Sequence, residues 1–246
     1  MNSGKRSNQQ NVDNIDVLTE RVNTFQPAYD PAETRLSIDN QKKIKTSGDE
    51  VLLGVAMAES ACDNTTSART AAFDALSNLV TRVINALRIS DVEEQTIAQG
   101  EAIVRELRNK RASKIETPVK TAEGDENKEP VKINKLRRGS FNTRIENFRK
   151  FIVFLSAIPA YNPKQTDLTI DALKVKLEAL VLVNSAFTTA EAKAEAARLQ
   201  RDIVLYREKT GLVAIALDSK LYVKSAYGAT SPQYKSISGI LFTRPR

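Results

Sequence analysis

The sequence predicts an all-α protein: two antiparallel helical bundles, or one elongated bundle, joined by a charged flexible linker. Three observations carry that prediction. Apolar residues recur at steps of three and four over most of the chain, the mark of one buried helix face. Only 9 Gly and 8 Pro occur among 246 residues, too few turn signals for a many-stranded fold. Aromatic residues make up 6% and tryptophan is absent, so the core is built from aliphatic seams.

The elements follow in order. Residues 1–30 are rich in Asn and Gln and read as a flexible N-terminal segment, closed by Pro27 and Pro31. Within it a short helix is expected over 13–24, because Ile15, Leu18 and Val22 share a face. The first bundle spans 31–111. Its first helix covers about 32–63, with Ile38, Ile44, Leu52, Val55 and Cys62 as a loose stripe and a break expected near Ser47-Gly48-Asp49. Asn64-Thr65-Thr66 reads as a helix–helix turn. A second helix over 67–88 places Phe73, Leu76, Val80, Val83 and Leu87 on one face without a miss. Ser90 and Glu93 match a capping box for a third helix reaching about residue 110, with Ile97, Val104 and Leu107 inward.

Periodicity vanishes over 112–139. Pro118, Gly124 and Pro130 stand in a mixed Lys/Glu run that offers no face to bury, which reads as a disordered linker. The second bundle spans 140–242. Ser140 caps a helix carrying Phe141, Ile145, Phe148, Ile152 and Leu155, and Pro159 to Pro163 breaks it. Thr166 or Asp167 caps the next, with Ile170, Leu173, Leu177, Leu180, Asn184 and Phe187 in its seam. Thr188 or Thr189 then caps a last long helix to about Tyr227. Its coiled-coil-like seam reads Ala192, Ala196, Leu199, Ile203, Tyr206, Thr210, Val213 and Leu217. Gly228 stops it, Ser231-Pro232 opens a short terminal helix, and 243–246 form a basic tail. The two halves echo each other weakly at an offset of 140: Ala86 aligns with Ala226 and Ile97 with Ile237. Either a duplication or the common look of helix–cap–helix junctions accounts for that.

Composition restricts the chemistry. There is no histidine and one cysteine, so no Ser-His-Asp or Cys-His pair and no histidine metal site can form within the chain. Glycine-rich phosphate loops are missing as well. No catalytic residue, cofactor or metal ligand is expected, and the chain reads as no enzyme. The carboxylate pairs Glu191/Glu195 and Asp167/Asp171 share helix faces, as cation ligands would, but the first lies in a solvated, helix-favouring stretch. The second suits a helix first turn. Cys62 cannot pair internally, which fits a reducing compartment, and the polar opening residues carry no apolar leader. The expected localisation is cytoplasmic, with no membrane association.

Net charge is +7. Nine basic and five acidic residues fall between Lys110 and Ser140, so about four of the seven excess charges sit there. Lys132, Lys135, Arg137 and Arg138 are the candidate polyanion contact, of the weak, sequence-blind kind. Arg137-Arg-Gly-Ser140 also matches a basophilic phosphorylation site, although an N-cap role is the simpler account of Ser140, and the two are compatible. Tyr206, Tyr222, Tyr227 and Tyr234, interleaved with Lys209, Lys220, Lys224 and Lys235, suit either base stacking or core packing with hydroxyls at the rim.

The stretch Leu221-Tyr-Val-Lys-Ser-Ala-Tyr-Gly-Ala-Thr-Ser-Pro-Gln-Tyr-Lys-Ser-Ile-Ser-Gly-Ile resembles the ending of a set of all-helical bacterial proteins, with a looser echo in 73–107. The resemblance implies a helical fold and a bacterial cytoplasm and transfers no activity or site residue. The expected role is a non-catalytic helical protein working through protein–protein contacts, as scaffold, adaptor or self-assembling subunit. Its partner is another protein or itself, with a homo-oligomer favoured. The alternative is a nucleic-acid-associated protein using the basic linker without sequence preference.

Overall fold

The computed structural model describes residues 3–108 and 140–244. Its elements are α1 (Ser3–Asn23), α2 (Ile38–Arg88), α3 (Glu94–Leu107), α4 (Phe141–Ser156), α5 (Ile170–Tyr206), α6 (Leu212–Tyr227) and α7 (Pro232–Ser238). Short 3-10 turns at Thr34–Leu36 and Thr166–Leu168 precede α2 and α5, and no strand occurs among the described residues. The protein is all-helical. The linker over 112–139 lies outside the described residues.

The helices group by contact into two compact units, and each draws on both sides of that linker. Residues 1–64 and 189–246 form one; residues 65–188 form the other. This grouping differs from the sequence division into 31–111 and 140–242. Burial explains it: the apolar face of each early helix is completed by residues far along the chain.

In the first unit α1 packs on α6 and α7. Val12, Ile15, Leu18 and Val22 are fully buried and share one core with Leu205, Leu212, Val213, Ile215, Val223 and Ile237. A flexible 1–30 segment is therefore corrected to a core helix, longer than the 13–24 stretch the apolar spacing suggested. Its polar start (Ser3 to Gln10) carries no apolar signal, but Asn8 and Asn11 are buried and hydrogen-bonded. In the second unit α3 packs on α4. Phe73, Leu76, Val80, Val83 and Leu87 meet Phe148, Phe151, Leu155, Leu173 and Leu180 in one apolar core.

Several local expectations are corrected. The break near Gly48 does not occur, because Gly48 is a contact point rather than a breaker. A Cβ there would stand 2.9 Å from Val12 Cγ2 and 3.2 Å from Leu212 Cδ1, so glycine lets α1 and α6 approach α2. Asn64-Thr65-Thr66 and Thr188-Thr189 are helical, inside α2 and α5. Ser90 donates to the Ala86 carbonyl at 2.9 Å instead of capping, and Glu93 is the N-cap of α3. Thr169, not Thr166 or Asp167, caps α5, accepting from Ala172 N at 3.3 Å. The long seam expected to reach Leu217 is wrong in register. Leu199, Ile203 and Leu217 are exposed, while Ala190, Ala194 and Leu205 are buried. The helix stops at Tyr206, Lys209 takes a φ of 63°, and α6 restarts after Gly211, which resets the face. Ser140, Gly228 and Ser231-Pro232 act as expected: Ser140 accepts from Thr143 N and Ser231 from Tyr234 N.

Candidate interaction surface

Helix α6 is apolar on more than its core face. Leu212, Val213, Ile215, Ala216 and Val223 are buried, yet Leu217 and Leu221 stand 42% and 62% exposed. The outward pair of leucines, one turn apart beside Asp218 and Lys220, forms an exposed aliphatic strip on a helix anchored in the core. Two further aliphatic pairs of the same spacing occur in this unit: Leu53 with Met57 on α2, and Leu199 with Ile203 on α5. A wide-spaced pair, Val175 and Leu182, is exposed on the other unit's part of α5.

The edge of the α6 face is held by charge. Arg35 Nη1 donates to Asp218 Oδ2 at 2.6 Å and to the Lys209 carbonyl at 3.1 Å. That partner, with Glu33 beside it, raises the guanidinium above its ordinary range. Lys220 Nζ caps the chain end by donating to the carbonyls of Ser238 and Ile240 at 2.9 and 2.8 Å. Burial lowers its pKa. Between α1 and α7 an open groove of about 630 Å³ is lined by Glu20, Arg21, Thr24, Phe25, Pro232, Gln233 and Ser236, where Arg21 donates to the Ser236 carbonyl.

A feature the sequence did not disclose lies beneath α6. Gln41 is fully buried, as are Ser219 and, nearly so, Thr19 and Tyr29. Gln41 Nε2 lies 2.8 Å from the Leu36 carbonyl, 3.0 Å from Tyr29 Oη and 3.2 Å from Ser219 Oγ, and Thr19 Oγ1 donates to Gln41 Oε1 at 3.1 Å. Every polar atom needs such a partner at this depth, because burial without one is costly. Burial pushes the Tyr29 phenol above its usual pKa. Nothing in the spacing of Gln41 among Asn40, Lys42 and Lys43 distinguishes it from a surface glutamine.

Of the residues singled out from sequence, Lys132, Lys135, Arg137 and Arg138 lie outside the described residues. Ser140 is exposed and caps α4. The four tyrosines are partly buried against the first unit's core. Tyr206 Oη donates to Asn8 Oδ1, and Tyr227 Oη donates to the Phe25 carbonyl at 3.4 Å, so rings face inward and hydroxyls find rim partners. Asp167 pairs with Arg82 and Asp171 with Lys174, while Glu191 and Glu195 are exposed. Among the described residues no cluster of three acidic or cysteine side chains is placed to hold a metal ion. None of their helices is long and apolar enough to cross a membrane. No family model, curated protein or solved structure matches this chain.

Proposed function

We propose that this is a non-catalytic, cytoplasmic helical protein that works by protein–protein contact, first of all with a second copy of itself. The exposed Leu217/Leu221 pair on α6 carries the reading. It stands on a helix whose opposite side is anchored in a core, so the leucines are held in place and can be covered without refolding. The single cysteine suits a reducing compartment.

Light scattering coupled to chromatography tests it on the full chain from micromolar to hundreds of micromolar. The expected result is association that persists at high salt, as apolar contact requires, and is lost in Leu217→Ser/Leu221→Ser with helicity unchanged. A monomeric mass throughout, or assembly that needs added nucleic acid and dissolves in moderate salt, would overturn it. The second outcome would promote the basic linker instead.

A further inference from the structure

We infer that the chain is an internal duplication whose two copies have exchanged halves, so that each half-chain is the docking partner of the other. The clearest trace lies at an offset of 132. Pro27-Ala-Tyr-Asp-Pro-Ala-Glu-Thr-Arg-Leu-Ser-Ile-Asp39 and Pro159-Ala-Tyr-Asn-Pro-Lys-Gln-Thr-Asp-Leu-Thr-Ile-Asp171 are identical at eight of thirteen positions.

The two segments share three local features in one register. Tyr29 Oη donates to the Leu36 carbonyl at 2.7 Å, and Tyr161 Oη to the Leu168 carbonyl at 2.8 Å. A 3-10 turn covers Thr34–Leu36 in one and Thr166–Leu168 in the other. Ser37 Oγ accepts from Asn40 N and Thr169 Oγ1 from Ala172 N, at 3.2 and 3.3 Å. Ordinary loops do not repeat a buried tyrosine, a 3-10 turn and a cap in one register by chance.

The likeness extends to the packed faces on either side. At an offset of 133, buried Val12, Ile15, Leu18 and Val22 of α1 match buried Ile145, Phe148, Phe151 and Leu155 of α4. At an offset of 140, buried Phe73, Leu76 and Val83 of α2 match Val213, Ala216 and Val223 of α6. The drift from 132 to 140 adds eight residues, a little over two helical turns, which keeps the same face inward. The first copy is thus α1, α2 and α3; the second is α4 to α7.

The exchange follows from which segments share a core. The first unit joins the opening of copy one to the closing part of copy two, and the second unit joins the closing part of copy one to the opening of copy two. Each crossing point carries residues that favour turns over helix: Asp63-Asn-Thr-Thr-Ser67 in α2 and Thr188-Thr189 in α5. A copy folded back on itself would turn there. Both stretches are helical instead, which is the signature of swapped halves.

The test uses the full chain with a specific protease site placed within 112–139, cleaved after folding. The two pieces are expected to stay together one to one at micromolar concentration with helicity unchanged. Because neither core is complete in one piece, unfolding becomes bimolecular. At about 0.7 kcal/mol of unfolding enthalpy per residue, Tm should rise by about 3 °C for each tenfold increase in concentration. Asn11→Cys and Thr243→Cys, in a Cys62→Ala background, should be joined by a short bismaleimide into one species containing both pieces. In the intact protein Asn11 Nδ2 donates to the Thr243 carbonyl at 2.8 Å. Separation of the pieces, folded or unfolded, or a Tm indifferent to concentration overturns the exchange. Neither outcome bears on the Leu217/Leu221 test, which reads the mass of the uncut chain.

Discussion

Gln41→Leu removes the centre of the buried polar cluster while keeping side-chain volume. Three of its partners stay paired: Tyr29 Oη and the Leu36 carbonyl keep each other at 2.7 Å, and Thr19 Oγ1 keeps the Ile15 carbonyl at 2.7 Å. Fully buried Ser219 Oγ loses its 3.2 Å bond to Gln41 and keeps the Tyr29 phenol as its neighbour. Losing the four hydrogen bonds of one buried amide at about 1 kcal/mol each exceeds the gain of about 2 kcal/mol from an added apolar side chain. A net loss of about 2 kcal/mol is expected, lowering Tm by about 4–8 °C in a chain of this size. Denaturant and thermal melts of the full chain measure it. The mechanism is tested by a second substitution. Ser219→Ala costs about 1 kcal/mol alone but less on top of Gln41→Leu, because the Gln41–Ser219 hydrogen bond is already gone in that background. Strict additivity, or a Gln41→Leu protein as stable as the parent, would refute the reasoning.

Two more outcomes follow from the packing and the ionisation. Gly48→Ala gains about 1 kcal/mol of helix propensity but forces a Cβ against Val12 Cγ2 at 2.9 Å. Since β-branched Val12 has no free rotamer to yield, a net loss of about 1 kcal/mol is expected, turning into a gain in a Val12→Ala background. Gly54→Ala, with nothing within 4 Å, should stabilise outright by about 1 kcal/mol, so a chemical melt that ranks Gly48→Ala above Gly54→Ala would refute the contact. Burial pushes the Tyr161 phenol up to about 12 from its ordinary 10. The folded state then holds this proton more tightly, so its contribution is complete below pH 10 and is lost as pH rises towards 12. Tyr161→Phe should flatten the alkaline slope of stability, and an unchanged slope would sink the assignment.

The helix class and most core positions were legible because helical spacing reports burial directly. Every apolar residue expected on α4 and on the Phe73–Leu87 face is buried or packed on the core. The misplaced helix breaks share one physical cause: helix ends depend on tertiary packing as well as on local preference. Asp63 to Ser67 disfavour helix only by tenths of a kcal/mol each, which cores on either side outweigh. Gly48 would cost about 1 kcal/mol in an isolated helix, but close packing against Val12 and Leu212 repays it. In the alanine-rich part of α5 the small side chains give several faces equal merit, so the seam through Leu199 and Ile203 was as plausible as the true one through Ala190, Ala194 and Leu205. The duplication was legible too, but in the Pro-Ala-Tyr segments rather than at the helix–cap–helix junction. The offset of 140 that aligned Ala86 with Ala226 holds only beyond the eight-residue shift.

Copies that share a core can still diverge wherever only one of them needs to meet a partner. Inside, the positions of Thr19, Gln41 and Ser219 correspond to Ile152, Leu173 and Leu79, so one unit is tied by hydrogen bonds where the other is filled by aliphatic side chains. Outside, Leu217 and Leu221 correspond to Ser77 and Thr81. There the first copy is closed by Arg108, whose guanidinium donates to the Ser77 carbonyl at 3.3 Å and to Thr81 Oγ1. One face is thus polar and bridged by an arginine of its own unit; its counterpart is aliphatic and open. A directional buried network limits slippage of α6 against α1 and α2, and a fixed α6 presents its leucines in one geometry. The polar core of the first unit and its apolar outer face are then two parts of one arrangement, in which the hydrogen-bonded network lies directly beneath the face proposed for contact.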